Sequence, residues 1–159
     1  MKIAFDASYI QTRRAGLGRH SLELLKALCA FDTENEYMLH GWSYSLDEKE
    51  ILKWKSDRIW LKTMRLPGFV KRGYWNRVRF PSLETLIGEF DIFHSADPLL
   101  PPVRRARRIA TVHDLAYKKF PQYFTRQVLS WDRHVARSLA NADAIVVPSE
   151  STRVDIEEL

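Results

Sequence analysis

Residues 2–31 of the chain, KIAFDASYIQTRRAGLGRHSLELLKALCAF, decide the fold. The first part, Lys2–Ala7, is a short apolar run with an aromatic and a β-branched residue, which predicts a buried strand. A polar loop follows and ends at Gly16-Leu17-Gly18. From about Gly18 to Phe31, apolar residues recur on one face at helical spacing. The stretch therefore predicts a strand, a long polar loop and an amphipathic helix.

The same alternation continues to the end of the chain. Five further strands are predicted, at Glu36–Trp42, Arg58–Leu66, Asp91–His94, Arg108–His113 and Asp143–Val147. Helical segments are predicted within Tyr74–Gly88, from about Thr125 to Asn141, and after an N-cap at Ser149. Strands that alternate with helices, several of them continuous apolar runs, are typical of a parallel sheet covered on both faces. We therefore expect an α/β, Rossmann-like fold.

Length and composition narrow the class of protein further. The 159 residues, 45% of them hydrophobic, suit one folded domain with a core of its own. The single cysteine, Cys29, excludes an internal disulfide framework and is expected in the core. No apolar run approaches the roughly 18 residues of a membrane-spanning helix. Asp6 interrupts the first apolar stretch too early for a signal peptide. We predict a cytoplasmic domain.

The net charge of +5 is unevenly distributed. The stretch Lys62–Phe80 holds six basic residues up to Arg79, no acidic residue, and interleaved aromatic side chains. A second basic cluster lies at 104–108. Such clusters attract phosphates, anionic lipid headgroups or nucleic acid, although solvated faces carry them as well. We do not expect nucleic-acid binding, because the chain has no recognition-helix, RRM or KH signature.

Polar side chains follow several predicted strands. In an open parallel sheet, ligands bind at the carboxyl ends of the strands near the switch point of strand order. The side chains to inspect there are Asp6, Ser8, Tyr9, Arg13 and Arg14 after the first strand, His94, Ser95 and Asp97 after the fourth, and His113, Asp114 and Tyr117 after the fifth.

Gly16-Leu17-Gly18 opens a predicted helix, where glycines and free N–H groups can approach an anion. It is not a dinucleotide fingerprint, because Ser21 replaces the third small residue and no acidic residue ends the second strand. The alternative is a turn that only lets the helix pack.

His113 with the adjacent Asp114 can contact a phosphate or a sugar hydroxyl, or move a proton near neutral pH. The alternative is a histidine that only caps the strand. His20, His40 and His134 are predicted to be ordinary helix or strand residues. No metal-site spacing, nucleophile elbow or phosphate-binding Walker loop is present in the sequence.

Four segments together resemble retaining GT-B glycosyltransferases of the family 4 type, which are mannosyl- and glucosyltransferases. They are Gly16–Leu28, Asp91–His94, Thr111–Leu115 with Pro121, and Ala142–Thr152. Their order and spacing match the glycine loop with its helix and the fourth, fifth and sixth strands of the acceptor-side domain. The resemblance covers almost the whole chain.

The resemblance implies roles for individual residues. Gly16, Leu17 and Gly18 would lie against the donor diphosphate and sugar, and His113 would contact the donor sugar and support transfer. Acceptor contacts would come from a set of rim residues: Tyr9, Arg13, Arg14, Asp97, Asp114 and Tyr117. Transfer would proceed with retention and without a metal or cofactor. The basic stretch Lys62–Phe80 would provide peripheral membrane contact.

The resemblance also implies a second domain, which binds most of the nucleotide sugar and is absent from this chain. The 159 residues would be the N-terminal domain of the enzyme, a hexosyltransferase acting on a saccharide or lipid-linked acceptor, and would be inactive alone. Three alternatives remain: a stand-alone phosphosugar- or partner-binding module, a polymerising enzyme of the glycogen-synthase kind, and half of a GT-B sugar-nucleotide epimerase.

Overall fold

A computed structural model describes residues 1–10, 16–41, 48–53, 56–64, 78 and 80–158. Six strands form one sheet: β1 (Lys2–Asp6), β2 (Glu36–Gly41), β3 (Ile59–Thr63), β4 (Ile92–Ser95), β5 (Arg107–Thr111) and β6 (Ala144–Val146). The helices are α1 (Gly16–Phe31), α2 (Glu48–Leu52), α3 (Leu83–Ile87), α4 (Ala116–Lys119), α5 (Arg126–Leu129), α6 (Asp132–Ala140) and α7 (Glu150–Glu157). A 3-10 turn spans Pro121–Tyr123.

The sheet is parallel throughout, in the order β3-β2-β1-β4-β5-β6. This order confirms the predicted Rossmann-like α/β fold. The chain builds outward from β1 to β3, then returns to the other side of β1 and continues to β6. The strand order therefore reverses between β1 and β4, and their carboxyl ends flank the switch point.

Successive residues of one strand belong to two different core clusters. Ala4 of β1 packs with Phe93 and with Leu83 of α3, whereas Phe5 packs with Leu22 of α1 and with Tyr37. Because side chains alternate between the two faces of a sheet, the two clusters lie on opposite faces. Helices therefore cover both faces of the central strands, which explains why their sequences are continuous apolar runs.

The predicted strands are confirmed, with bounds shifted by up to three residues where the structure describes them. The predicted helix from Thr125 to Asn141 is wrong as one continuous element, because α5 and α6 are separated by a turn at Ser130 and Trp131. The Ser130 hydroxyl donates to the carbonyl of Gln127 at 2.7 Å, a local bond that competes with the helical ladder.

Other predictions are only partly within the described residues. Within Tyr74–Gly88, the structure describes α3, and positions 74–77 and 79 lie outside it. The loop arginines Arg13 and Arg14 also lie outside the described residues, as does most of the basic stretch Lys62–Phe80. In the described part of the chain, no helix combines the length and apolar character needed to cross a membrane.

Candidate functional site

The loop after β1 is organised by the carboxylate of Asp6, the last residue of the strand. Asp6 is 1% exposed, and its Oδ1 accepts a hydrogen bond from the Ser8 backbone N–H at 2.9 Å. The Ser8 hydroxyl donates to the same oxygen. These bonds turn the chain at the end of the strand and lead it to Tyr9.

Tyr9 and Asp97 join the two loops that flank the switch point. The Tyr9 hydroxyl, in the loop after β1, donates to Oδ2 of Asp97, which follows β4. Asp97 is only 8% exposed, and its Oδ1 accepts from the Leu99 backbone N–H at 2.7 Å. A buried carboxylate is stable when donors surround it in this way. Two of the predicted acceptor residues therefore contact each other directly.

His113 lies beside this pair. Its Nε2 is 3.0 Å from the carbonyl oxygen of Ala96, the residue before Asp97. Because a carbonyl oxygen can only accept, Nε2 carries the proton, and Nδ1 of a neutral ring is left as an acceptor. The Thr152 hydroxyl of α7 donates to the His113 backbone carbonyl at 3.3 Å. The loop after β5 is thus tied both to the β4 loop and to the last helix.

His20 of α1 also belongs to this site, although the sequence predicted an ordinary helix residue. Its ring meets the ring of His113 edge to face, with centroids 4.8 Å apart and planes at 87°. Burial lowers the pKa of His20, and the neighbouring His113 lowers it further. A usable signal was present in the sequence: His20 comes one helical turn after Gly16, on the same side of the helix.

His94 of β4 lies close enough to His20 and Asp6 for their charges to affect its pKa. Its Nε2 lies 3.1 Å from the Thr111 hydroxyl, and its ring packs edge to face on Phe5 at 5.3 Å. Burial lowers the pKa of His94, and a charge on His20 lowers it further, against the opposing effect of Asp6. The His94 imidazole is therefore harder to protonate than a free imidazole, and its Nε2 has a hydrogen-bond partner in Thr111.

Gly16, Leu17 and Gly18 form the first turn of α1. Gly16 is exposed and Gly18 is buried, and a Cβ atom added at Gly16 would meet nothing within 4 Å. Packing therefore does not explain the glycine at position 16. The first N–H groups of a helix lack intrahelical partners, and a helix start is therefore a common place for an anion to bind.

Asp114 and Tyr117 have other partners. Asp114 is exposed, and its Oδ1 accepts from the Ala116 N–H at 3.0 Å, which supports the start of α4. The Tyr117 hydroxyl donates to Asp132 of α6 at 3.2 Å, and burial together with Asp132 raises the pKa of Tyr117 to about 12. The structure thus brings Tyr9, Asp97 and His113 together, whereas the Tyr117 hydroxyl is committed to α6.

The second basic cluster is partly neutralised. Arg107 and Arg108 both bind the carboxylate of Asp143, at 2.9 and 3.1 Å. The backbone N–H groups of Arg104 and Arg105 donate to the carboxylate of Glu84. Among the described residues, no group of three histidine, cysteine or carboxylate side chains could hold a metal ion.

The parallel sheet, with polar residues of three loops meeting at its switch point, defines a Rossmann-like α/β domain. The family model described as Glycosyltransferase Family 4 matches residues 14–159, and the chain belongs to that family. Over 170 aligned residues the chain is 29% identical to the O-antigen chain mannosyltransferase B of Escherichia coli. The alignment covers 100% of the chain and 44% of that relative, so the chain spans less than half of its length. No solved structure matches the chain significantly.

Proposed function

We propose that the chain is the acceptor-side domain of a retaining GT-B glycosyltransferase. The enzyme transfers a hexosyl group, mannose or glucose, from a nucleotide sugar to a saccharide or lipid-linked acceptor. Membership of glycosyltransferase family 4 supports the reaction class, and the mannosyltransferase activity named for the Escherichia coli relative favours mannose. The observation that carries the proposal is the cluster of Tyr9, Asp97 and His113 at the switch point.

In an open parallel sheet the ligand crevice lies outside the carboxyl ends of the strands, and we assign a binding role to each group there. The first turn of α1, from Gly16 to Gly18, lies against the donor diphosphate, where free N–H groups offset negative charge. His113 contacts the donor sugar with Nδ1, since Nε2 is committed to Ala96. Asp97 accepts a hydrogen bond from an acceptor hydroxyl, because a carboxylate oxygen can receive more than one donor.

The proposal needs no nucleophile and no metal from this chain. The leaving diphosphate takes the proton of the attacking acceptor hydroxyl, and the new glycosidic bond forms on the face from which the diphosphate departs. The domain contributes orientation: it holds the acceptor oxygen and the sugar in reacting geometry and limits the access of water. Most of the nucleotide is bound by a second domain, which is why we expect the 159-residue chain alone to be inactive.

The location follows from the substrates. We propose that the nucleotide-sugar donor is supplied from the cytoplasm. The enzyme would then act in the cytoplasm, at the inner face of the cytoplasmic membrane where the acceptor is lipid-linked. A lipid-linked acceptor requires contact with the membrane surface, for which the basic and aromatic stretch Lys62–Phe80 is the proposed element. Co-sedimentation of the chain with anionic and with neutral vesicles tests that element. We expect more of the chain to bind the anionic vesicles, and equal binding to both would contradict the role of the stretch.

The test of the function is transfer by the full-length protein. GDP- and UDP-linked hexoses are supplied with saccharide and lipid-linked acceptors, and products are identified by mass spectrometry and anomeric NMR. We expect turnover with retention, and His113→Ala to lower kcat on the order of a hundredfold. His134→Ala is the matched control, since His134 lies on α6. Failure of every donor would refute the proposal, and a bound phosphosugar without turnover would favour the binding-module alternative.

A further inference from the structure

The ring of His113 is held from two sides. On one side, Nε2–H donates to the Ala96 carbonyl at 3.0 Å. On the other, the His20 ring meets it edge to face at 4.8 Å, close to the perpendicular geometry that aromatic pairs prefer. A single hydrogen bond breaks easily, and an imidazole that leaves it can turn about its side-chain bonds and exchange tautomers. The His20 ring blocks that movement, because two rings cannot occupy the same space, and it keeps Nε2–H on the Ala96 carbonyl.

The backbone of His20 is itself held in place by its helix. It lies in α1, a helix of 16 residues, and the next residues on its buried side, Ser21 and Leu22, are at most 1% exposed. The Ser21 hydroxyl donates to the Leu17 carbonyl one turn back, at 2.9 Å. The helix and its core contacts therefore fix the backbone from which the His20 side chain extends.

The surroundings of the His20 imidazole favour its uncharged form. In the described structure its Nδ1 is buried and has no hydrogen-bond partner. Protonation would add a charge and a second N–H where no acceptor is available, next to another imidazole. These surroundings favour the neutral form of the His20 ring, which agrees with the lowering of its pKa by burial.

We infer that His20 is a positioning residue, which locks the ring of His113 so that Nδ1 faces the crevice. The inference rests on the proposed function for the identity of the substrate, but not for the ring geometry. His20 touches no reacting atom and acts through His113. Its contribution is orientational, and loss of orientation by about 1 Å can cost on the order of a hundredfold in rate.

The first experiment measures the ring of His113 directly. The chain is labelled with ¹⁵N-histidine, and the ring nitrogen shifts are recorded at about pH 8.5, above the ordinary range of histidine pKa values. In the wild type, we expect His113 almost entirely as the Nε2–H tautomer. His20→Ala is expected to mix the two tautomers, and His20→Phe to restore the wild-type spectrum because it keeps a flat ring. Should His20→Ala fail to fold, His20→Leu fills the space without an aromatic ring.

The second experiment follows kcat and KM of the full-length enzyme. We expect His20→Ala to lower kcat at least tenfold with the donor KM nearly unchanged, and His20→Phe to recover most of it. His134→Ala is the matched control and should leave both constants unchanged. Identical His113 spectra in wild type and His20→Ala would overturn the inference, even if transfer is observed. Absence of transfer in the wild type would refute the proposed function, while the spectra would still decide the role of His20.

Discussion

Strands β1 and β4 at the centre of the sheet each bury an aromatic side chain completely, whereas all three residues of β6 at the edge are exposed. Phe5 and Phe93 are 0% exposed, and Ile145 of β6 is 37% exposed. The edge is instead held by polar contacts: Asp143 binds two arginines, and Ser149 caps α7. The centre thus depends on packing, and the edge depends on hydrogen bonds and charge.

The largest effect should come from the packed centre. Phe93→Ala removes a fully buried ring from the cluster around Ala4 and Leu83, and we expect it to lower the free energy of unfolding by about 3–5 kcal/mol. The matched control is Phe31→Ala, since Phe31 is 88% exposed and should change stability by less than about 0.5 kcal/mol. Urea unfolding followed by circular dichroism measures both. Equal losses in the two variants would contradict the comparison.

Asp97 tests how much the polar contacts at the carboxyl ends of the central strands contribute to the free energy of unfolding. Asp97→Ala removes an acceptor of the Tyr9 hydroxyl and of the Leu99 N–H, so we expect the free energy of unfolding to fall by about 1–3 kcal/mol. Asp114→Ala is the comparison variant, because that carboxylate is exposed and accepts a hydrogen bond from the Ala116 N–H. It should cost about 1 kcal/mol or less. Thermal and urea unfolding check the order, and a larger loss in Asp114→Ala would contradict it.

The cap of α7 tests the edge. The Ser149 hydroxyl oxygen accepts from the Thr152 N–H at 3.2 Å, so Ser149→Ala should lower stability by about 1 kcal/mol. Ser149→Gly should lose only a few tenths of a kcal/mol relative to the wild type. Urea midpoints of the three proteins provide the measurement. A stability of Ser149→Ala equal to that of the wild type would mean that the last helix is held by other contacts.

The smallest effect is expected from charge at the edge. The Arg108 backbone N–H, then the Arg107 and Arg108 side chains, lower the pKa of Asp143 from 3.8 to about 2. The folded state therefore binds this proton more weakly than the unfolded state. The stabilisation is complete above about pH 3.8 and is lost as the pH falls through about 2. The difference in urea midpoint between wild type and Asp143→Asn should shrink between about pH 6 and pH 2. A difference independent of pH would contradict the role of charge.

The sequence predicts the centre of the molecule better than the edge. Continuous apolar runs such as Lys2–Ala7 identify buried strands, because a parallel sheet covered on both faces has no polar side. Near the edge the pattern is weaker, and the helix predicted from Thr125 to Asn141 proved to be two. Within residues 125–141, Val135 alone is buried, so little packing opposes the local bond of Ser130.

The candidate site was predicted only in part. Strand ends could be located, which is why Tyr9, Asp97 and His113 could be named before their contacts were known. Contacts between side chains from different elements, such as Tyr9 with Asp97, depend on tertiary geometry and have no signature in the spacing. His20 was missed because its spacing of one helical turn from Gly16 was not taken as a signal. Tyr117 was selected by its position after β5, but its hydroxyl turned to Asp132 on α6.

The length of α1 has a mechanical consequence. A helix of 16 residues is about 24 Å long, and it moves as one rigid rod. Gly16 and His20 lie on the same side of its first turns, so they share every tilt and shift of the rod. A displacement of the helix backbone at Gly16 therefore moves His20, one turn away, by about the same amount. The His20 ring, which contacts His113, moves with it.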